Sequence, residues 1–218
     1  MIDQNYISFF EGLEKNNHKK WFDKHRKEYE SHVRKPFIEV IESLIPALLE
    51  IDPELHTDAK KTLFRINRDI RFSKDKTPYN ILMKASLSSE GKKSEVPGFY
   101  VGIGADHVHV GGGLYQLSKD RLSNIRNLIA SNQKEFMEII TAPDFKKYFE
   151  ELQGERNKRI DKKYADLESK IPHIANKQFY AMAKFDTSAF IKETNQAEAL
   201  MKYFRIIQPL HTFLNKAF

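Results

Sequence analysis

The sequence predicts an α+β fold, with N-terminal helices, a central antiparallel sheet and C-terminal helices. Three observations carry this. Apolar residues recur at helical spacing over the first fifty positions, the pattern changes to short extended segments between 81 and 110, and helical spacing returns after Ser118. Helices grouped before and after strands, rather than alternating with them, argue against a parallel α/β sheet.

Ile2, Tyr6, Phe9, Phe10 and Leu13 mark one face of an amphipathic helix over residues 3–15, and Asn16-Asn17 ends it. A second helix is predicted over 18–35. Trp21, His25, Tyr29 and Val33 step by four along its inner face, joined by Phe22 and His32. Lys20, Lys24, Lys27 and Arg34 form a basic stripe on the opposite side. Pro36 suits the first turn of a third helix, which Val40, Ile41, Leu44 and Leu48 carry towards Asp52-Pro53. Segments 81–88, 99–103 and 107–110 read as an antiparallel meander with a tight turn at Gly104-Ala105-Asp106. Gly111-Gly112-Gly113 is expected to close the sheet region as a bulge or tight corner. Ser118 caps a helix running through Leu122, Ile125 and Ile129, and helical pattern continues to Leu152. Residues 153–177 read as irregular, 178–185 as one further strand, and 195–214 as a closing helix. No Pro/Gly/Ser linker divides the chain, so residues 1–218 are read as a single domain.

Composition narrows the chemistry. The 218 residues include sixteen Phe and nine Tyr, enough to build a substantial core. Cysteine is absent, which removes disulfides, thiol nucleophiles and cysteine-ligated metal clusters. The start lacks the basic and apolar regions of a secretory signal, so a cytoplasmic location is expected. The net charge of +6 is concentrated. Residues 60–84 carry eight Lys/Arg against Asp69 and Asp75, and residues 15–35 carry eight against Asp23, Glu28 and Glu30. If the two segments adjoin, their field favours an anionic partner. Solvated faces would account for the same charges.

The run 64–79 concentrates the candidate site. Extended backbone would put Phe64, Ile66, Arg68, Ile70 and Phe72 on one side, with Arg65, Asn67, Asp69 and Arg71 on the other. A helical turn would instead gather Arg65, Arg68 and Arg71 together, and the pattern allows both. Guanidinium forks suit phosphate and carboxylate, so Arg65, Arg68, Arg71 and Lys76 are the expected ligand-binding residues, with the Tyr79 hydroxyl at the rim. Asp69 and Asp75 are the candidate catalytic carboxylates, able to orient the forks, hold a metal on a phosphorylated ligand or act as a base. A buried salt-bridge network would use the same residues.

Arg65, Arg68, Asp69, Arg71, Phe72, Asp75, Lys76 and Tyr79 resemble the signature of a bacterial conserved-hypothetical family, domain of unknown function 2461. The stretch from Asn16-Asn17 through Trp21-Phe22 and His25-Arg26 to Tyr29 is similar to that family's opening. So is the stretch from Pro97-Gly98-Phe99-Tyr100 to Gly111-Gly112-Gly113. The resemblance covers most of residues 3–150 and weakens after Gly154, where the family often carries a proline-containing basic stretch and this chain has none. It implies one domain of this length and supplies no activity, substrate or cofactor.

Other constellations carry less. His18, His25 and His32 lie seven apart, about 10.5 Å per step on a helix, too far to share a metal. No metal site is therefore expected, and the cofactor is left open. His25 is retained as a candidate acid–base group, on condition that its helix face borders the arginine segment. His107 and His109 read as a solvent-facing pair on one strand. Three functions compete: binding of a phosphorylated or carboxylated small molecule, nucleic-acid binding by helix 18–35 with the same arginines, and a structural or adaptor role.

Overall fold

The structure, a computed structural model, describes residues 1–92 and 94–218. Helix α1 (Gln4–Lys15) starts where the Asp3 carboxylate accepts from the N–H groups of Asn5 and Tyr6. Its inner face is Tyr6, Phe9, Phe10 and Leu13, as the spacing predicts.

The predicted helix over 18–35 is broken. The His18 ring caps α2 (Lys19–Lys24) by accepting from Trp21 N, and α2 ends at His25, whose backbone leaves the helical region (φ −101, ψ 15). A single turn, α3 (Arg26–Glu28), leads into a π turn over Tyr29–Arg34 and then α4 (Lys35–Leu49). A π turn bonds each N–H one residue further back than an α-helix, so stepping by four does not persist through it. Tyr29 and Val33 still enter the core, but His32 faces solvent. The stripe of Lys20, Lys24, Lys27 and Arg34 is thereby divided among three helical pieces.

After α5 (Ala59–Thr62) come the strands β1 (Leu82–Leu87), β2 (Gly98–Gly104) and β3 (His107–Leu114). Helices α6 (Lys119–Ser131), α7 (Gln133–Thr141) and α8 (Pro143–Phe149) follow. The stretch predicted to be irregular holds 3₁₀ turns at Lys162–Tyr164 and Pro172–Ala175 and the short α9 (Ala165–Glu168). Then come β4 (Phe179–Asp186), α10 (Thr187–Phe190) and α11 (Gln196–Asn215). The sheet order is β1-β2-β3-β4, antiparallel throughout.

Gly111-Gly112-Gly113 does not close the sheet, because β3 runs through it to Leu114. Gly113 holds φ 122, and a Cβ there would stand 2.2 Å from Phe179 O. Only a residue without a side chain lets β4 approach so closely.

One face of the sheet is sealed. Met83, Ala85, Leu87, Phe99, Val101, Ile103, Val108 and Val110 are buried. Phe99 meets Phe204 of α11 edge-on at 5.1 Å, and the Tyr6 hydroxyl of α1 donates to Ile103 O at 2.8 Å. Each such fully buried large apolar side chain contributes about 1.5–3 kcal/mol. The start of the chain is tied to α11 as well. Ile2 N donates to Gln196 Oε1 at 2.9 Å, and Gln196 Nε2 donates to Ile2 O at 2.7 Å. With helices stacked on one side only, the opposite face stays open. Among the described residues no helix is long and apolar enough to cross a membrane.

Candidate functional site

The arginine segment begins as a strand extension. Leu63 bridges to Ala85, Phe64 N donates to Lys84 O, and Asn80 N donates to Ile66 O, the last two at 2.8 Å. Asn67 pairs with Tyr79, and Arg68 N donates to Pro78 O at 2.8 Å. The ladder stops there, and residues 69–77 leave it as a loop. In burial the extended alternation holds through Arg71, with Phe64, Ile66, Arg68 and Ile70 on the more buried side and Arg65, Asn67, Asp69 and Arg71 exposed. Phe72, expected with the apolar set, departs from it at 95% exposed. Arg68 therefore lies on the opposite side from Arg65 and Arg71.

Arg68 is the inward one, its side chain 25% exposed. One terminal nitrogen donates to the Asp75 carboxylate, to the Thr77 hydroxyl and to Thr77 O at 3.1 Å, and the other reaches Ser73 Oγ at 3.4 Å. The guanidinium thus staples the loop across its width. The Thr77 N–H, Arg68 and the Thr77 hydroxyl together pull the Asp75 carboxyl down to about 2. Arg71 is exposed and forks onto Asp69, Nε to Oδ1 at 2.9 Å and NH2 to Oδ2 at 2.7 Å, which lowers the Asp69 carboxyl. Lys76 donates to Ile70 O at 2.9 Å. Tyr79, expected at a rim, is 5% exposed and stacks on Phe22 at 4.2 Å. The exposed Arg65 guanidinium has no hydrogen-bond or ion-pair partner among the described residues.

His25 stacks on Trp21 at 4.0 Å, and its Nδ1 lies 2.8 Å from Trp21 O. It borders a hollow of about 370 Å³ with Asn5, Ser8, Glu28 and His32, whose lining contains no residue of 64–79. The condition set for an acid–base role is therefore not met at this hollow.

A larger cleft, about 660 Å³, lies on the open face of the sheet, with Phe64 at its edge. Cross-strand pairing sets its floor in rows. Lys84, Gly102 and His109 form one row, and Ser86, Tyr100, Gly111 and Met182 the next. Gly98, Gly113 and Tyr180 form a third. Lys92 and Tyr115 stand on the walls, and among the described residues no carboxylate lines the cleft. Among the described residues Lys84 Nζ donates only to the neutral Asn80 side chain (3.1 Å), and Lys92 Nζ to Leu63 O (2.7 Å). Burial, and then the nearby Arg68 charge, push the Lys84 amine below its ordinary value. Burial likewise lowers His109, helped by Lys184 and His107, and raises the Tyr100 hydroxyl to about 12. His109 therefore faces the cleft, whereas His107 lies 3.6 Å from Asp186.

Of the cleft residues the sequence marks Phe64, His109 and the glycine run, but none of them as ligand-binding, and it does not mark Lys84 or Lys92. The signal was present in β1, where Leu82, Lys84 and Ser86 alternate with the buried Met83, Ala85 and Leu87.

Fold and site together define an α+β protein with an antiparallel sheet sealed on one face and open on the other, its open face bordered by a basic, internally bonded loop. The family model described as conserved hypothetical protein (DUF2461) matches residues 5–213, and the chain belongs to that family. The match includes the C-terminal third, where the resemblance in the sequence weakens. No curated protein matches the chain.

Proposed function

We propose that the protein binds a phosphorylated or carboxylated small molecule in the open cleft of the sheet, with Lys84 and Lys92 meeting the anion. The observation that carries this is Lys84, a partly buried ammonium with no carboxylate beside it in the cleft among the described residues. An uncompensated buried charge is costly, and a bound anion would supply the missing partner. Arg68 keeps its own counter-ion in Asp75 and acts as the post that frames the loop, a structural role that its bonds to Asp75, Thr77 and Ser73 support. Arg65 and Arg71, with Lys76, add to the positive field that draws an anion inward. The reading takes residues 1–218 as one domain, supported by a hydrophobic core that includes both Ile2 and Leu214.

Thermal shift with ribose 5-phosphate and with succinate tests the proposal. A ligand at 100 times its dissociation constant adds about 2.7 kcal/mol, and a shift is expected that Lys84→Met removes. If neither probe moves the wild-type melt at millimolar concentration, or if Lys84→Met responds equally, the proposal fails.

A further inference from the structure

The cleft is longer and more aromatic than an anion alone requires. Tyr100, Tyr115 and Tyr180 all line it. Tyr115, 65% exposed, meets Tyr180 edge-on at 5.4 Å. Among the described residues none of the three hydroxyls has a hydrogen-bond partner in the protein. Between these rings the floor is bare backbone. Gly98 pairs with Gly113, and Gly111 sits between Tyr100 and Met182. Side chains cannot fill that floor, since a Cβ at Gly98 would stand 2.8 Å from Leu87 O and one at Gly113 2.2 Å from Phe179 O. A flat floor walled by aromatic rings matches the shape of a planar ring.

Tyr100 leans over Gly102 in the Lys84 row, so the aromatic end away from the charge is Tyr115 with Tyr180. From the Lys84 row to the Tyr180 row is four residues along the strands, roughly 13 Å at about 3.3 Å per residue. An occupant that satisfies both ends carries its anion and its ring at opposite ends. The ring end also presents hydrogen-bonding groups, the free tyrosine hydroxyls with Gln116 and Gln153, which a plain hydrocarbon ring would leave unmatched. A heterocycle meets them. Resting on the anion-binding reading above, we infer that the ligand is a nucleotide, its phosphate at Lys84 and Lys92 and its base against Tyr115 and Tyr180. Aromatic side chains tolerate any base, because every base offers a π face.

Calorimetry on the full chain with ribose 5-phosphate, adenosine and adenosine 5′-monophosphate separates the two readings. The mononucleotide is expected to bind at least tenfold more tightly than either fragment, and Tyr115→Leu, on an exposed wall, to bring that ratio to ribose 5-phosphate within about threefold, the loss expected for one stacking ring. Equal binding of ribose 5-phosphate and the mononucleotide would overturn the nucleotide inference and leave anion binding standing. Adenosine binding as tightly as the mononucleotide would overturn both. A tenfold preference that Tyr115→Leu and Tyr180→Leu both leave intact would also overturn the inference, because the rings would then not hold the base. Single-stranded octaadenylate distinguishes the source: tighter binding than the mononucleotide assigns a nucleotide within a strand, and equal or weaker binding assigns a free one.

Discussion

Asn17 and Tyr79 exchange two hydrogen bonds across the fold. Tyr79 N donates to Asn17 Oδ1 at 3.1 Å, and Asn17 Nδ2 donates to Tyr79 O at 3.0 Å. The side-chain amide stands in for a neighbouring strand at the point where the arginine loop leaves its ladder. Phe22 stacks on the Tyr79 ring beside it. The turn between α1 and α2 therefore holds the neck of a loop 62 residues away. This explains how two basic segments, far apart in the chain, come to adjoin.

Replacing that amide isolates its contribution. Asn17→Ala strands both backbone groups of Tyr79 in a partly buried place, and a stranded group costs about 1–3 kcal/mol. A loss of about 2–3 kcal/mol is expected, which lowers Tm by roughly 5–10 °C in a chain of this size. Amide exchange at Tyr79 should quicken at the same time. A melt within a degree of wild type would mean that water replaces the amide.

Asp75 should report the Arg68 staple through pH. Its carboxyl is held near 2 in the folded loop against an ordinary 3.8. The unfolded chain therefore takes up the proton first, so the stabilising effect is complete above 3.8 and fades as pH falls towards 2. Side-chain carbon shifts of Asp75 should titrate near 2, and Thr77 amide protection should fall over the same range. Asp75→Asn should lack that acid-dependent step in the Thr77 amide. A titration midpoint near 3.8 would contradict the bracket of Arg68 and Thr77 around this carboxylate.

These elements differ in how far their sequences expose them. Strand β1 is legible because Met83, Ala85 and Leu87 alternate with Lys84 and Ser86, and the open face is written in the same alternation. Strand β3 is cut short at Val110 because glycines carry no side-chain period, while Gly111 and Gly113 are where the β4 backbone comes too close for a Cβ. The break at His25 escapes because Tyr29 and Val33 enter the core with or without it. Arg68 is the sharpest case. Its partners Ser73, Asp75 and Thr77 lie within nine residues, but they meet it only because Arg68 N and Pro78 O close the loop. The cleft draws on residues from Phe64 to Met182, and no local spacing links them.

Lys84 offers a check that needs no ligand. Its amine is lowered by burial and by Arg68, so the unfolded chain keeps the proton to higher pH than the folded one. The destabilising effect of the charge is full below the folded value and is relieved as pH rises through that value towards 10.5. At pH 7 Lys84→Met should melt slightly above wild type, by about 1–3 °C, since the side chain is only partly buried and water screens its charge. As pH rises towards 10.5 the wild type should regain that difference, and comparison with the variant cancels the titration of other groups. A bound anion removes the same burden at neutral pH, so ribose 5-phosphate should reverse the order of the two melts. If Lys84→Met melts lower than wild type at every pH without ligand, the ammonium is already compensated inside the protein and has no deficit for an anion to fill.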